Sequence, residues 1–419
     1  MGTTTAVKTR PLSKSKKPSV ITSGLDVPII IIVLSLLVLG LVILYSASMP
    51  VAFYTSDASS PMSYVSRQAM FAGFGLLVAI FISLIDYRKF QKFMIPGLFA
   101  TWLLLFLVLI IGTVRHGATR TFFNGSVQPS EIAKVVIILY LAFWLKSKQE
   151  NLKHLTFWAL PIGFVLSLTL FLLYLEPDYS AILTLIAISG VMLFMADLDW
   201  KQIILIATVA SAFFVGIIKV TSTGSVRWFQ FVAGYKDPYD AISQVKRSIE
   251  SLVDGGFFGV GIGQGTVKFT GLEVGQSDTI FTVVAEEMGL LGCMLVIGLF
   301  LLLFLRGLKI AIQSNDLAGR LIASGISIWI ITEAFLNIAS LFNIVPVGGN
   351  TLPFFSLGGS SLVSILTGIG FLLSVSRMNY RDKYSERNPF NAVVDLRWRD
   401  RRRSVSGARG TASNRRQGR

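Results

Sequence analysis

The sequence predicts an all-α polytopic membrane protein with about ten transmembrane helices. Of its 419 residues, 53% are hydrophobic and 15% are charged, whereas a soluble domain has roughly 45–50% and 25%. Apolar runs recur along the chain, and each is long enough to cross a hydrocarbon layer about 30 Å thick. The composition therefore indicates repeated membrane spans and excludes an ordinary soluble core.

The apolar runs are predicted to be helices in the order in which they occur. The first begins near Val27, is too long for a signal-peptide core and is expected to remain as a helix. Cys293 is the only cysteine and lies inside an apolar run, which excludes disulfides and thiolate metal sites. The predicted segments are 27–47, 69–85, 94–113, 131–145, 157–175, 179–196, 202–219, 280–305, 317–340 and 355–376.

Charge indicates how these helices are oriented. Most of the net charge of +15 lies in two tails, residues 1–25 and 378–419, and the ten-helix domain at 26–377 is almost neutral. The short basic loops can share one side with both tails, which the positive-inside rule assigns to the cytoplasm. We expect a bacterial inner-membrane protein with both termini cytoplasmic and a disordered C-terminal tail. The tails are expected to contact anionic membrane lipids, and no nucleic-acid-binding module accompanies the charge.

The longest loop, residues 221–279, is predicted on the outer side between the seventh and eighth helices. Its aromatic residues give it apolar surface to bury, so we expect it to fold back over the outer face and to be partly re-entrant. Its glycine-rich segment, residues 255–265, permits close backbone approach to another helix or to a headgroup. No βαβ context surrounds this segment, so it is not a dinucleotide fingerprint.

Several polar residues lie where lipid-facing side chains are expected. Lys134 and Glu131 have the i,i+3 spacing of an ion pair. They form either a structural pair at a helix end or, with Arg120, part of a cavity for an anionic substrate. Asp178 follows Pro177 in an outer turn, for which both residues are ordinary turn formers.

Further candidates flank the last three helices. Asp278 precedes the eighth helix and is either a favourable partner of the helix dipole or a general base at the membrane surface. Glu286 and Glu287 cannot both face one direction, so at least one should turn inward. Ser356 and Ser360 lie among helix breakers and small residues before the last helix, where a role in helix packing is the alternative to a role in binding.

These stretches together resemble the SEDS family (shape, elongation, division and sporulation), whose best-known members are FtsW and RodA. The resemblance spans nearly the whole membrane domain in the order of the family. The matching residues are Asp26, Ser46-Ala47-Ser48, Arg67-Gln68, Gln128-Pro129-Ser130-Glu131 with Lys134, Pro177-Asp178, Asp237-Pro238 with Gln244 and Ser248, the Gly-Gly loop, Asp278, Glu286-Glu287-x-Gly289 and Leu352 to Ser361.

The resemblance implies a peptidoglycan glycosyltransferase that polymerises lipid II, with Asp278 as general base and undecaprenyl diphosphate as leaving group. It implies a class B penicillin-binding protein as the transpeptidase partner, together with other divisome proteins. A divalent cation, Mg²⁺ or Mn²⁺, is expected to assist, and no organic cofactor is expected. The candidate substrate-binding residues are Arg120, Lys134, Arg227, Gln244, Lys268, Glu286, Ser356 and Ser360.

Fewer residues distinguish the FtsW branch of the family from the RodA branch. Gln264, Lys268 and the extended basic tails resemble FtsW more than RodA, which indicates septal wall synthesis rather than elongation. The sequence departs from the family's usual His-Thr before the aspartate, where Gln276-Ser277 stands, and Glu176 replaces a common Gln. A lipid II flippase and a non-catalytic divisome scaffold are the alternatives from other functional classes.

Overall fold

The computed structural model describes residues 24–54, 61–115, 118–122, 127–151, 155–196, 221–269 and 277–387, with isolated positions at 201, 202, 204, 208 and 216. The chain divides into two units. The larger comprises residues 26–379, and the described part of the smaller comprises residues 24–25 and 380–387. Within the smaller unit, Gly24 lies against the side chain of Tyr380.

The described part of the chain is helical almost throughout. Its α-helices are α1 (Val27–Tyr54), α2 (Pro61–Leu84), α3 (Met94–Ile111), α4 (Pro129–Ser147), α5 (Leu155–Leu175), α6 (Tyr179–Met195), α7 (Ser222–Lys236), α8 (Ser243–Gly255), α9 (Ile280–Ile312), α10 (Leu317–Leu341) and α11 (Gly359–Arg387). A short antiparallel hairpin, β1 (Thr113–Arg115) with β2 (Ala118–Thr121), connects α3 to α4.

Nine of the ten predicted segments are therefore helices. The tenth, 202–219, lies mostly outside the described residues, as does most of the predicted tail 378–419. The predicted loop 221–279 contains two helices of its own, α7 and α8.

Side chains of the turns cap several helices. The Asp26 carboxylate accepts a hydrogen bond from the Ile29 amide (3.3 Å) at the start of α1. Asp178 accepts one from the Ala181 amide (3.2 Å) at the start of α6, and Thr221 accepts one from the Gly224 amide (3.2 Å) at the start of α7. These bonds satisfy amides that have no partner within a helix, so the helix starts are set locally by sequence.

The chain is an integral membrane protein. Among the described residues, six helical stretches are long and apolar enough to cross a membrane, and α5 and α6 supply two shorter apolar helices. The apolar stretch of α3 is only 22% buried inside the protein, whereas that of α10 is 72% buried. α10 contacts α4, α6, α8 and α9, so it forms the centre of the bundle and the outer helices face lipid.

The glycine-rich segment docks onto a break in α9. Gly289 has φ 63° and ψ −164°, which interrupts the helical hydrogen bonds. The amides of Val260 and Gly261 donate to the carbonyls of Glu286 and Glu287 (3.0 and 3.1 Å). Immediately after the break, the Leu290 and Leu291 amides donate to the carbonyls of Gly256 and Phe257 (3.0 and 3.2 Å). The segment therefore replaces the bonds that the break removes, which confirms close approach to another helix.

One end of the bundle holds a charged network around Asp316, the residue before α10. Its carboxylate accepts a hydrogen bond from the Tyr87 hydroxyl (2.8 Å) and pairs with Lys146 (2.6 Å) and Arg88 (3.6 Å). Burial alone would raise the pKa of Asp316, but its partners Lys146, Tyr87 and Arg88 outweigh burial and lower that pKa. Two of the predicted basic loops therefore lie at the same end of the molecule, as the positive-inside pattern requires.

Candidate active site

A polar cavity of about 300 Å³ lies among α4, α6, α7 and α10 and the loop between α10 and α11. Its wall combines cationic, anionic and hydroxyl-bearing side chains, and it includes Asp278 at the start of α9. The charged residues that line it are Arg120, Glu131, Lys134, Asp178, Arg227, Asp278 and Glu333. If all seven are ionised, the carboxylates outnumber the cations by one.

Asp278 is held in a turn that two neighbouring elements fix. The Ser277 hydroxyl donates to the Asp278 carboxylate (2.8 Å). The Asn337 side-chain amide, buried near the C-terminal end of α10, donates to the Asp278 carbonyl (2.8 Å) and to the Asn350 carbonyl (2.6 Å). Ser356 donates to the Ser277 carbonyl (2.6 Å) and accepts a hydrogen bond from the Leu352 amide (2.8 Å). The turn is thus tied to both α10 and the loop before α11.

Lys134 is neutralised by two carboxylates rather than one. Its ammonium group bonds to Glu131 (2.8 Å), one turn earlier in α4, and to Glu333 of α10. The Trp329 indole also donates to Glu333 (2.7 Å), and the Lys134 ammonium lies 5.7 Å from the Trp329 ring centroid. Because all three charged side chains are at most 7% exposed, this cluster needs its charges paired.

Asp178 is a polar anchor of the cavity wall as well as a helix cap. Its carboxylate accepts hydrogen bonds from Ser130 (2.9 Å), Gln128 (3.0 Å) and Ser180 (2.8 Å). Burial alone would raise the pKa of Asp178, but the charges of Arg120 and Lys134 and these hydroxyls lower it. Asp178 is therefore an ionised carboxylate that fixes the start of α4 against the start of α6.

The neighbouring Glu176 has the opposite environment. Both its carboxylate oxygens are buried without a hydrogen-bond partner. Burial and the nearby charge of Asp178 raise the pKa of Glu176 to about 9, against a smaller opposing effect of Arg120. Glu176 is therefore protonated at neutral pH, which makes it similar to the neutral glutamine that is common at this position in the resembling family.

Arg120 and Arg227 differ from Lys134 in their partners. Arg120, from β2, donates to the carbonyls of Glu176 (3.3 Å) and Pro177, and Arg227 donates to the Gly348 carbonyl (3.4 Å). Burial and the positive charge of Arg120 lower the pKa of Arg227. Among the described contacts both guanidinium groups bond to backbone carbonyls, so their charge is available to an anion in the cavity.

The structure brings five of the nine predicted site residues to the cavity. Those lining it are Arg120, Lys134, Arg227, Asp278 and Ser360. The Ser360 hydroxyl also accepts a hydrogen bond from the backbone amide of Gln128 (3.0 Å). Ser356 lies behind the cavity wall, where it supports the turn of Asp278.

The other three predicted residues lie elsewhere. Lys268 is buried and bonds to Glu287 (2.7 Å) and Ser46 (2.7 Å). Glu286 accepts hydrogen bonds from the amides of Thr266 (2.7 Å) and Val267 (3.1 Å), so it holds the glycine-rich segment against α9. Gln244 lies in the first turn of α8 and does not line the cavity. Substrate contact by these three remains a prediction to which their positions lend no support.

Sequence reasoning did not select three residues that line the cavity, Asp178, Glu333 and Asn350, or Asn337, which supports the turn of Asp278. Glu333 and Asn337 are polar residues spaced i,i+4 within the apolar segment 317–340, a spacing that could have indicated an inward-facing pair. Asp178 was interpreted as a turn former only. Asn350 lies in a loop and carries no local signal in the sequence.

A resident metal site was tested against the donors present. Within the described ranges there is no group of three or more His, Cys, Asp or Glu side chains close enough to hold a metal ion. The cavity carboxylates are instead engaged by lysine, hydroxyl and amide donors. The described residues of the cavity therefore do not form a preassembled metal cage.

Known proteins are similar to this chain over nearly its whole membrane domain. The family model for the cell cycle proteins FtsW, RodA and SpoVE matches residues 27–381. Stage V sporulation protein E of Bacillus subtilis (strain 168) is 35% identical over 357 residues, which cover 84% of this chain and 97% of that protein. The probable peptidoglycan glycosyltransferase FtsW of Geobacter sp. (strain M18) is also 35% identical, over 362 residues and the same shares of each chain.

Solved structures show the same fold. A chain from a peptidoglycan synthase complex that coordinates polymerization and crosslinking has a TM-score of 0.68 at 28% identity, covering 85% of this chain and 98% of that chain. The rod shape determining protein RodA of Thermus thermophilus has a TM-score of 0.62 at 27% identity and the same coverage. The match spans nearly the whole membrane domain, and the chain therefore belongs to the cell cycle protein family of FtsW, RodA and SpoVE, the SEDS family that its motifs resemble.

Proposed function

We propose that this chain is a peptidoglycan glycosyltransferase that polymerises lipid II into glycan strands within the membrane. FtsW relatives that cover most of the chain are named as probable peptidoglycan glycosyltransferases. The observation that carries the assignment is the position of Asp278, which faces a polar cavity that also contains two arginines without carboxylate partners among the described contacts. A base beside anion-binding groups suits sugar transfer from a diphosphate.

In the proposed reaction Asp278 is the general base. Its carboxylate takes the proton from the 4-hydroxyl of the acceptor sugar, and the hydroxyl oxygen bonds to the anomeric carbon of the donor. The bond between that carbon and the diphosphate oxygen breaks with inversion, and undecaprenyl diphosphate leaves with the electron pair. Asn337 and Ser356 keep the base in place through the backbone of its turn.

Arg120 and Arg227 are the proposed partners of the leaving diphosphate. Their guanidinium groups would stabilise the negative charge that grows as the bond breaks. Lys134 contributes less because Glu131 and Glu333 already compensate its charge. Since the cavity carboxylates outnumber its cations by one, we expect Mg²⁺ or Mn²⁺ to arrive with the diphosphate.

Substitution of Asp278 tests the proposal directly. Purified Asp278→Asn should polymerise lipid II at least about 100-fold more slowly than the wild type, the usual contribution of a general base. Asp240→Asn, an exposed aspartate in the same outer loop, is the matched control and should polymerise normally. Normal polymerisation by a folded Asp278→Asn variant would remove Asp278 from the role of base.

We assign the chain to septal wall synthesis, with a class B penicillin-binding protein as its transpeptidase. Relatives named FtsW that are 35% identical and cover 84% of the chain support this assignment. A family neighbour from a complex that couples polymerization with crosslinking supports such a partnership. Depletion should produce filaments without septa, and co-purification should recover the transpeptidase. Rounded cells with normal septa would instead indicate a role in elongation.

A further inference from the structure

A groove lies on the outside of the bundle between α1 and α9, at the opposite end of α9 from Asp278. Its volume of about 440 Å³ is within the ~300–1,000 Å³ of ordinary ligand pockets. Its surface is almost entirely apolar, so Arg306 and Lys309 line it mainly with their carbon atoms. The lining residues are Pro28, Ile32, Leu302, Leu305, Arg306 and Lys309.

The lining residues from α9 follow one another along the helix axis, with apolar residues first and charged residues after them. Leu302, Leu305, Arg306 and Lys309 follow the i, i+3, i+4, i+7 pattern of a single face of α9. Leu302 and Leu305 precede Arg306 and Lys309 along α9, and the two cations lie within the last two turns of the helix. A molecule with an apolar chain and an anionic head would match this order from one end to the other.

Among the described residues, only one of the two cations has a carboxylate partner. The Arg306 Nε donates to both carboxylate oxygens of Asp26 (3.0 and 3.1 Å), which fixes the orientation of the guanidinium group. Within the described ranges, the terminal nitrogens of Arg306 donate to no protein acceptor and Lys309 forms no ion pair. Asp26 therefore balances one of two positive charges at the groove.

We propose that this groove is a binding site for an anionic phospholipid of the surrounding bilayer. The phosphate lies between Arg306 and Lys309, and one acyl chain follows Ile32 and Leu302. On the predicted topology the lipid belongs to the cytoplasmic leaflet, where basic pockets between transmembrane helices bind such headgroups. A zwitterionic lipid is disfavoured because its own cation would face the uncompensated Lys309.

Native mass spectrometry of the purified full chain tests the proposal by comparing retention of phosphatidylglycerol with that of phosphatidylcholine. The wild type should retain phosphatidylglycerol preferentially. Lys309→Gln should weaken that retention about five-fold, equivalent to ~1 kcal/mol per basic residue near an anionic surface, and it leaves the Asp26–Arg306 pair intact. Leu305→Trp, which fills the groove, should reduce retention of both lipids.

Lys92→Gln is the matched control, because Lys92 is an exposed lysine outside the groove, on a predicted cytoplasmic loop. It should retain phosphatidylglycerol as the wild type does. Equal retention of the two lipids by the wild type, or equal losses in Lys92→Gln and Lys309→Gln, would overturn the proposal. Wild-type retention by a folded Leu305→Trp variant would overturn it as well, and circular dichroism establishes folding for each variant.

Discussion

Asn337 acts at a distance from the substrate, because its amide bonds to the backbone of the Asp278 turn and of Asn350. Asn337→Ala should lower kcat by about tenfold or more, since even a 1 Å misplacement of a catalytic group can cost ~100-fold. KM should change little because Asn337 does not line the cavity. Steady-state polymerisation of lipid II measures both constants.

Asn343→Ala is the control for the loss of an amide near the end of α10. Asn343 donates to the Phe231 carbonyl (3.2 Å), away from Asp278. It should lower the Tm without lowering kcat. An equal fall in kcat in both variants would show that the effect of Asn337→Ala is general destabilisation rather than positioning.

Substitution of Lys134 should show how much the stability of the protein depends on pairing the buried carboxylates of Glu131 and Glu333 with a cation. Lys134→Met leaves Glu131 and Glu333 without their partner and should destabilise the protein by about 3–5 kcal/mol. Thermal unfolding in detergent measures the loss. Adding Glu131→Gln and Glu333→Gln to the same chain should restore most of the stability, and failure to do so would argue that packing, not charge, is responsible.

Glu176 should make stability fall as pH rises. In the unfolded chain its carboxyl ionises near 4.5, whereas the folded pKa is about 9. Between these values the unfolded state binds fewer protons, so the free energy of unfolding decreases with increasing pH. Glu176→Gln should flatten the decrease in Tm between pH 5.5 and 8.5.

Glu150→Gln provides the comparison, since Glu150 is an exposed glutamate. Its Tm profile should follow the wild type throughout this range. An unchanged slope in Glu176→Gln would mean that Glu176 is ionised in the folded protein.

Most of the predicted site residues that line the cavity carry a charge that is unusual for a membrane helix or its edge. Lys134 and Asp278 are conspicuous for that reason. Lys268 is equally conspicuous, yet it pairs with Glu287 inside the bundle, and charge alone does not reveal the partner. Asn337 acts through backbone carbonyls 59 and 13 residues away in sequence, so only the folded structure shows it.

The docking of the glycine-rich segment onto α9 predicts a difference between two glycines of the same backbone conformation. Gly259 (φ 83°) and Gly263 (φ 85°) both have a positive φ, so alanine is strained at either position by about 1–2 kcal/mol. A Cβ at Gly259 would also collide with the Glu287 carbonyl, whereas one at Gly263 meets nothing within 4 Å. Gly259→Ala should therefore lower the Tm much more than Gly263→Ala, and similar Tm values would contradict the docking.

Element boundaries followed from sequence where helices are apolar and bounded by polar turns. The prediction at 179–196 corresponds to α6 within one residue, and 317–340 corresponds to α10 within one residue. The break at Gly289 was not predicted, because the apolar pattern of α9 continues through it. Its cause is a contact with a segment about 30 residues earlier in the chain, and helical periodicity contains no information about such contacts.

The single cysteine makes the orientation of the whole protein testable. Cys293 is only 5% exposed, so the wild type should react little with a membrane-impermeant maleimide. Tyr239→Cys, at a position 84% exposed in the predicted outer loop, should label in intact spheroplasts. Lys92→Cys should label only after permeabilisation, and labelling of Lys92→Cys from outside would contradict cytoplasmic termini.

The interrupted helix α9 also bears on how the protein is made. Residues 256–261 leave the ribosome before α9 does, and the amides of Leu290 and Leu291 depend on that earlier stretch for their acceptors. An α9 that adopted this break in lipid without that stretch would carry unsatisfied peptide groups, each at a cost of several kcal/mol. Formation of the native break is therefore coupled to assembly of the preceding outer loop, so α9 reaches its final shape only after that loop has folded against it.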